Sequence, residues 1–285
     1  MKKLSPDFPL EKMSQVFGVS RSGYYRFLKQ SKGKRAMENE LIMKKIKAIF
    51  HEHKGRYGSP RIYRELKKQG VICSENLIAK LMKANKLKLK AKQTRKWRGR
   101  KIPDQEKKPN LLERDFSAKT PNTKWVSDIT QVKTAKGWAY LCAVLDLFSR
   151  KIVGHAIKPH MKQELVGEAL EQAVKRRKTK RKELIFHSDQ GVQYGAKELR
   201  KFMAKTGIIG SMSGKGSCYD NAVMESFFSS YKRECVQNQV YESLEIAQKE
   251  AFNYIESYYN NRRQHSALGY LSPVEFEKKH EKSLP

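Results

Sequence analysis

Residues 124–157, KWVSDITQVKTAKGWAYLCAVLDLFSRKIVGHAI, contain three consecutive runs of β-type sequence. The runs WVSDITQV, WAYLCAVLDLFS and KIVGHAI are rich in β-branched, aromatic and other apolar residues. Turn residues separate them, first at Lys136-Gly137 and then at Ser149-Arg150. Such runs with short polar breaks predict three neighbouring strands joined by tight turns.

Helices and strands alternate after the third run. An amphipathic helix is expected first, because Leu165, Ala169, Leu170 and Val174 share one helical face. The strand ELIFHSD, a helix near 196–206, the short strand IIGSM and a helix starting near Asp220, its expected N-cap, follow in that order. The order β-β-β-α-β-α-β-α predicts an α/β fold, a mixed sheet with helices packed on its faces.

The residues before this sheet have helical patterns. Residues 9–29 predict two helices joined at Gly18, which is the length of a helix-turn-helix unit. Residues 36–87 predict further helices, one of them capped by Ser59. We expect these all-α helix-turn-helix modules to contact DNA, and the alternative is a plain helical bundle with a solvated basic face.

Five segments are therefore predicted along the chain. They are a helix-turn-helix-like segment (1–35), a second helical DNA-binding module (36–87), a basic linker (88–119), the mixed-sheet core (120–240) and a C-terminal helical extension of that core (241–285). In the linker, either a DNA-tracking arm or a solvated tether fits the composition. The residues expected to contact DNA there are Arg95, Lys96, Trp97, Arg98 and Arg100.

Composition indicates a polyanionic partner. The 285 residues include 60 Lys and Arg against 29 Asp and Glu, a net charge of +31, which favours binding to nucleic acid phosphates. A ribosomal-type or merely basic protein is the alternative.

The cysteines are scattered and predict neither a structural zinc site nor disulfides. They are Cys73, Cys142, Cys218 and Cys235. No signal sequence or membrane span is visible, so a cytoplasmic, nucleoid-associated protein is expected.

Three acidic residues stand where packing does not require a carboxylate. Asp128 interrupts the first β run, Asp189 follows the apolar run of the fourth strand, and Glu225 lies in an apolar helix. Because ligands of open α/β sheets bind beyond strand ends, the two strand acids are expected to converge there. Taken singly, each acid is more often an exposed residue or the partner of a nearby Lys or Arg.

Clustered carboxylates repel one another unless a cation compensates them. Oxygen ligands without a thiolate favour Mg²⁺ or Mn²⁺. Two such ions about 4 Å apart can activate an attacking oxygen and stabilise a leaving one. The acids therefore predict a metal-dependent enzyme that transfers phosphoryl groups in nucleic acid.

Several further residues are expected near the acids. Lys232 lies seven residues after Glu225, on the same helix face, where its ammonium group could hold a terminal phosphate or base if Glu225 is a metal ligand; the alternative is a solvated lysine. His187 is either a support for the acids or simply packed. Asp146 is expected to be structural, paired with Arg150, with support of the site as the alternative. The candidates for side chains that contact the metal ligands rather than the metal are thus His187, Asp146 and Asn221.

The motifs WVSDIT, HSDQGVQY, KGSCYDNAVMESFFSSYKRE and YYNNRRQHSALGYLSPVEF resemble the transposase (OrfB) encoded by the second reading frame of insertion sequences of the IS-three type. That family belongs to the retroviral-integrase-like superfamily with a DDE triad. The resemblance implies an RNase H-like core in which Asp128, Asp189 and Glu225 are catalytic metal ligands and Lys232 contacts the DNA end. It also implies cleavage at the element's 3′ end, followed by attack of that 3′-OH on target DNA.

The resemblance implies partners as well. Terminal repeats and target DNA would be double-stranded substrates, and holding two ends requires a homo-oligomer, a dimer or larger. The upstream product, OrfA, or a frameshift fusion with it, would supply recognition of the ends. The chain begins at Met1 without a sustained heptad, so we expect it to be competent but poor at finding ends alone. The C-terminal residues expected to be structural or to contact DNA are Tyr259, Asn260, Arg262 and His265.

Two other functions remain as alternatives at this point. A non-catalytic DNA-binding regulator or remnant would keep the helical modules without a working triad. An RNase H-like nuclease without strand transfer would need no residue that retains a cleaved end. The intact set of three acids favours the transposase over the first, and Lys232 favours it over the second.

Overall fold

The computed structural model consists of two compact units, residues 1–89 and 90–285. The residues that it describes are 1–2, 4–29, 33–89, 108–178, 183–214 and 218–281. The linker residues predicted to contact DNA, Arg95, Lys96, Trp97, Arg98 and Arg100, lie outside the described residues. The finer segment boundaries remain predictions.

The first unit contains five helices in its described part. They are α1 (Leu10–Val16), α2 (Arg21–Lys29), α3 (Lys34–Glu52), α4 (Ser59–Lys68) and α5 (Glu75–Ala84). α4 and α5 pack on each other and on α3. This all-α unit agrees with the helices expected from the sequence.

The core of the first unit is formed by one apolar side of each long helix. Ile46 of α3, Ile62 of α4 and Ile78 of α5 are fully buried. The predicted capping by Ser59 is wrong: Gly58 is the N-cap of α4, and Ser59 is its first helical residue. Pro60 at the start of a helix needs no backbone donor, so the helix can begin one residue earlier than expected.

The second unit is built on one five-stranded sheet. Its strands are β1 (Lys124–Thr134), β2 (Gly137–Asp146), β3 (Ile152–Lys158), β4 (Ile185–Ser188) and β5 (Ile209–Met212). Their order in the sheet is β3-β2-β1-β4-β5. β1, β2 and β3 are antiparallel neighbours, whereas β4 runs parallel to β1 and β5 parallel to β4.

Helices follow the strands in the predicted order. They are α6 (Gln163–Arg177), α7 (Lys197–Thr206), α8 (Ala222–Tyr231), α9 (Leu244–Phe252) and α10 (Pro273–Glu281). Two of them continue into π-helical turns, Lys232–Val236 after α8 and Asn253–Tyr259 after α9. The α/β class and the order β-β-β-α-β-α-β-α are thereby confirmed. None of the helices in the described part of the chain is both long and apolar enough to cross a membrane.

The sheet's main core lies under α6. Leu165, Ala169 and Leu170 of this helix are fully buried together with Trp125 of β1. The contact is close at Gly154 of β3, where a Cβ atom would lie 2.1 Å from the backbone oxygen of Ala169. A glycine is therefore needed at this point for helix and sheet to approach each other.

The C-terminal segment closes the free edge of β3. The Asn260 side chain accepts a hydrogen bond from the Ile152 backbone N–H and donates one to the Ile152 carbonyl, both 2.9 Å long. A buried amide thus satisfies backbone groups that a further strand would otherwise pair. Tyr259 is also buried, its ring 4.8 Å from that of Phe227 on α8, whereas Arg262 is exposed.

Candidate active site

The two strand acids stand where β1 and β4 stop pairing. The parallel ladder ends at the pair Val126–His187. Asp128 lies two residues further along β1, and Asp189 directly follows β4. Both side chains are half-buried. The opening between diverging parallel strands is the usual ligand site of such sheets, so the predicted position at strand ends agrees with the topology.

Glu225 lies in the first turn of α8, which packs on β1. Met224 and Phe227 are buried, whereas Glu225 is exposed. The sequence predicted that Lys232 lies on the same α-helix as Glu225. In the structure α8 ends at Tyr231, and Lys232 is the first residue of the π-helical turn that follows. The side chain still lies close enough to interact electrostatically with Asp128.

The electrostatics of Asp128 connect all of these residues. Desolvation raises the pKa of Asp128 to about 8, and the neighbouring Asp189 and Glu225 carboxyls add to the rise. The Ile129 N–H, 2.7 Å from Asp128 Oδ1, and the Lys232 ammonium act in the opposite direction on that pKa. The structure thus places the three predicted acids and Lys232 in one electrostatic neighbourhood.

Asp189 is held by the turn that follows it. Desolvation raises the pKa of Asp189, and the Gly191 N–H opposes the rise by donating to Asp189 Oδ1 over 3.0 Å. A Cβ at Gly191 would lie 2.2 Å from the Gln193 side-chain nitrogen and 3.0 Å from that same carboxyl oxygen. A side chain at this position would therefore require the Gln193 side chain to move, although the backbone of Gly191, with φ of −70°, is one that any residue adopts.

Lys232 is half-buried beside these acids. Desolvation lowers the pKa of its ammonium group, and the negative charge of Asp128 opposes that shift. A partly desolvated cation beside carboxylates is well placed to interact with an anionic group that enters the opening.

The donor set fits a hard divalent cation. Two half-buried aspartates and a nearby glutamate offer only oxygen atoms, and burial together with the neighbouring carboxyls raises the pKa of Asp128. A bound cation reverses this effect, because metal ligands must be deprotonated. Within the described ranges, no three His, Cys, Asp or Glu side chains already converge as a complete metal-binding group.

His187 supports the sheet from inside. Its ring nitrogens lie 2.9 Å from Ser211 Oγ and 3.3 Å from Ser213 Oγ, which connects β4 to β5 and the residue after it. Burial lowers the pKa of His187 to about 4, so the ring is neutral at pH 7. Asn221 instead donates from Nδ2 to the carbonyl of Ser127, 3.1 Å away, directly beside Asp128.

Asp146 has a different partner from the one that the sequence predicted. It lies opposite Trp125, away from the Asp128–Ala143 pair, and its carboxylate accepts from the Arg177 guanidinium at 3.3 Å. The predicted pairing with Arg150 is wrong, because the Arg150 guanidinium donates to the Phe116 carbonyl. Asp146 therefore connects β2 to the end of α6.

Asp220 is not the N-cap of α8 that the sequence predicted. Asn221 occupies the capping position. The Asp220 carboxylate instead accepts from Gly214 N–H (2.9 Å), Asn110 Nδ2 (3.0 Å) and Arg114 Nε (3.0 Å). These bonds attach the segment entering β1 to the loop before α8.

Two groups of supporting residues were not found from the sequence. Ser127 and Tyr194 share a buried hydrogen bond of 2.9 Å beside Asp128. Arg263 forms a buried ion pair with Glu234, a residue of the π-helical turn that begins at Lys232. A polar serine within the apolar strand was an available signal for the first group. The doublet Arg262-Arg263 gave no signal of which arginine is buried.

Comparison with known proteins identifies the family. Residues 118–218 match the integrase core domain model, residues 225–280 match a second integrase core domain model, and residues 37–97 match an HTH-like domain model. The transposase InsF for insertion sequence IS3A from Escherichia coli (strain K12) is 39% identical over 286 residues, 98% of this chain and 97% of that protein. The chain belongs to the IS3 family of transposases.

Further relatives agree with this membership. The transposase for insertion sequence element IS904 from Lactococcus lactis subsp. lactis (strain IL1403) is 40% identical over 245 residues, 86% of this chain and 96% of that protein. The solved HTLV-2 integrase catalytic core domain in complex with magnesium (dimeric form) covers 56% of this chain and 97% of its own, with 19% identity and a TM-score of 0.39. At that score the superposition adds nothing to the sequence matches.

Proposed function

We propose that this IS3-family transposase cleaves the 3′ end of its element and joins the freed 3′-OH to target DNA, with Asp128, Asp189 and Glu225 as the acids of the active site. The observation that carries the proposal is the position of the acids: Asp128 and Asp189 lie where β1 and β4 stop pairing, and α8, which bears Glu225, packs on β1. Burial, and after it the charges of Asp189 and Glu225, raise the pKa of Asp128. Carboxyls separated by long stretches of sequence share one charged neighbourhood at the open end of the sheet.

The reaction comprises two displacements at phosphorus. Water attacks the phosphodiester at the element's end, and the bond to the 3′ oxygen breaks to leave a 3′-OH. That hydroxyl then attacks a target phosphodiester, one new P–O bond replaces another, and no high-energy cofactor is consumed. Mg²⁺ or Mn²⁺, two ions in the expected arrangement, would be held by Asp128, Asp189 and Glu225 and would stabilise the attacking and leaving oxygens.

Lys232 is proposed to hold the DNA end. Its ammonium is half-buried beside Asp128 and would pair with a phosphate or base next to the acids. Binding along the rest of the DNA would depend on the surplus of positive charge, because each neutralised phosphate releases counterions. The helix-turn-helix unit and the basic linker are the segments proposed to provide it.

Further partners belong to the same proposal. Joining two ends in one event requires at least two active sites, so a homodimer or larger assembly on double-stranded DNA is expected. The upstream-frame product, or its fusion to this chain, is the partner proposed to recognise the terminal repeats.

The decisive experiment compares wild type with Glu225→Gln in strand transfer. Pre-cleaved element-end DNA, a plasmid target and Mg²⁺ or Mn²⁺ are incubated with the fusion protein, so that end recognition is provided. Because the substitution removes one ligand charge, joining should fall by at least about 100-fold while DNA binding stays within a few-fold. Glu198→Gln, an exposed acid on α7, is the matched control. Joining by Glu225→Gln at the control's rate would refute the assignment.

Lys232→Ala tests the second role. The dissociation constant for a pre-cleaved end should rise, and the slope of its logarithm against log salt should fall by about one, because one phosphate contact is lost. Mn²⁺ binding should be unchanged. Lys249→Ala, an exposed lysine on α9, is the control, and equal end binding by both variants would contradict the role of Lys232.

A further inference from the structure

Ser127, the residue before Asp128, contacts both other acid-bearing elements. Its side chain is fully buried, and its hydroxyl lies 2.9 Å from the Tyr194 hydroxyl. Its carbonyl accepts a hydrogen bond from Asn221 Nδ2 over 3.1 Å. One residue of β1 is therefore bonded on one side to the segment after Asp189 and on the other to the start of α8.

The first of these bonds continues to the carboxylate of Asp189. Tyr194 ends the 3-10 turn Val192–Tyr194, and its N–H donates to the Gly191 carbonyl over 2.9 Å. The Gly191 N–H in turn donates to Asp189 Oδ1. An unbroken series of contacts thus runs from β1 beside Asp128 to the second acid. Tyr194 is fully buried, so its ring cannot swing away without opening the core.

The second bond fixes the element that bears Glu225. Asn221 precedes α8 at its N-cap position, four residues before Glu225, and does not cap the helix with its side chain. That side chain instead reaches β1 just beyond the last residue that pairs with β4. Its Oδ1 atom is buried without a hydrogen-bond partner in the described part of the chain. Burial of this oxygen without a partner costs free energy, and the bond from Nδ2 to Ser127 accompanies that cost.

We propose that Ser127, Tyr194 and Asn221 are positioning residues that set the spacing of the three carboxylates. Ser127 is the junction at which the two series of contacts meet. The inference rests on the proposed role of Asp128, Asp189 and Glu225, and it concerns how the fold holds them. Residues that orient metal ligands typically change metal affinity by about 10- to 100-fold when they are removed.

The test measures Mn²⁺ binding to the full chain by electron paramagnetic resonance, so that it does not depend on activity. Tyr194→Phe, Ser127→Ala and Asn221→Leu should each raise the Mn²⁺ dissociation constant about 10-fold. Ser127→Ala/Tyr194→Phe should match its single variants, because both remove the same bond. Tyr194→Phe/Asn221→Leu should approach about 100-fold, because these two bonds are separate.

Ser149→Ala is the matched control for a loss of stability. Ser149 is as fully buried as Ser127, but its hydroxyl donates to Glu277. Its Mn²⁺ dissociation constant should stay within about twofold of wild type. Weakening equal to that of Ser127→Ala would show general loosening and would overturn the positioning role.

Asp128→Asn separates the two levels of the proposal. Loss of Mn²⁺ binding in Asp128→Asn, with Tyr194→Phe unchanged from wild type, would keep the active site and reject the positioning residues. Wild-type Mn²⁺ binding by Asp128→Asn would reject the active site and the positioning role with it. Loss in Asp128→Asn with the graded losses above supports both.

Discussion

Replacing Arg263 with methionine should destabilise the second unit by about 3–5 kcal/mol, because it breaks a buried ion pair. The Arg263 guanidinium is buried and makes two parallel bonds to Glu234, from Nε to Oε2 and from Nη2 to Oε1, both 2.8 Å long. Nη2 also donates to Ser230 Oγ over 2.9 Å, and the Tyr254 hydroxyl donates to Glu234 Oε2 over 2.9 Å. Each oxygen of the Glu234 carboxylate thus accepts at least one hydrogen bond.

The magnitude follows from what Arg263→Met leaves behind. The Glu234 carboxylate would stay buried after this substitution. It would keep the hydrogen bond from the Tyr254 hydroxyl and a longer contact of 3.5 Å with the Arg233 guanidinium. Removing one member of a buried ion pair costs about 3–5 kcal/mol, because the other charge loses its compensation. Arg263→Met/Glu234→Met removes both charges, so it should cost at least about 2 kcal/mol less than the sum of the two single variants.

Urea unfolding followed by tryptophan fluorescence, to which the fully buried Trp125 contributes, measures this free energy for the second unit, because residues 1–89 contain no tryptophan. Arg262→Met is the control, because Arg262 is adjacent in sequence but exposed and should change stability by less than about 1 kcal/mol. A cost for Arg263→Met as small as that of the control would refute the reasoning. Additive single variants would show that the two side chains do not act as a pair.

The same pair bears on the active site. Glu234 lies in the π-helical turn that begins at Lys232. π-helical turns are uncommon and occur often at functional sites. The ion pair fixes this turn to the C-terminal segment, so Arg263→Met should also weaken binding of a pre-cleaved DNA end.

Two further predictions concern the sheet and its helices. Against the effect of burial, hydrogen bonds from His155 and an arginine lower the pKa of Glu256 to about 2. The contribution of ionised Glu256 to the free energy of unfolding is therefore full above about pH 4.5. It is lost as the pH falls towards 2, by up to about 3 kcal/mol. Urea titrations of Glu256→Gln should lack this loss, and a loss in the variant equal to that of wild type would contradict the pairing. Gly154→Ala places a Cβ 2.1 Å from the Ala169 carbonyl and should cost about 3 kcal/mol or more. Gly167→Ala on α6, where a Cβ meets nothing within 4 Å, should instead stabilise by about 1 kcal/mol in thermal unfolding, and equal effects would refute the close contact.

Local pattern was sufficient for the strands and helices of the core. Apolar runs predicted the strands, and helical spacing predicted α6. The three acids stand out as candidates for the same reason, because a carboxylate inside an apolar run departs from a pattern that is otherwise regular. Asp128 and Glu225 are departures of this kind.

Errors arose where a partner was chosen by nearness in sequence. Arg150 was expected to pair with Asp146, but the partner is Arg177 on α6. Asp220 was expected to cap the helix that it precedes, but it bonds to Asn110 and Arg114, more than a hundred residues earlier. In each case the fold provided a donor better placed than the local one.

The contacts around the proposed active site were the least predictable part, and the reason is physical. Asn221 contacts Ser127 across 94 residues, and Tyr194 contacts it across 67. The chain has 13 tyrosines, and a side chain with one hydroxyl shows in its sequence neither whether it is buried nor which oxygen it meets. A catalytic acid is limited by its chemistry to Asp or Glu, whereas a residue that holds the acid in place can be any polar side chain that the fold brings within 3 Å. Sequence pattern therefore singles out the proposed reacting groups before the residues around them, whereas the three-dimensional arrangement shows that Ser127 is bonded to the segment after Asp189 and to the start of α8.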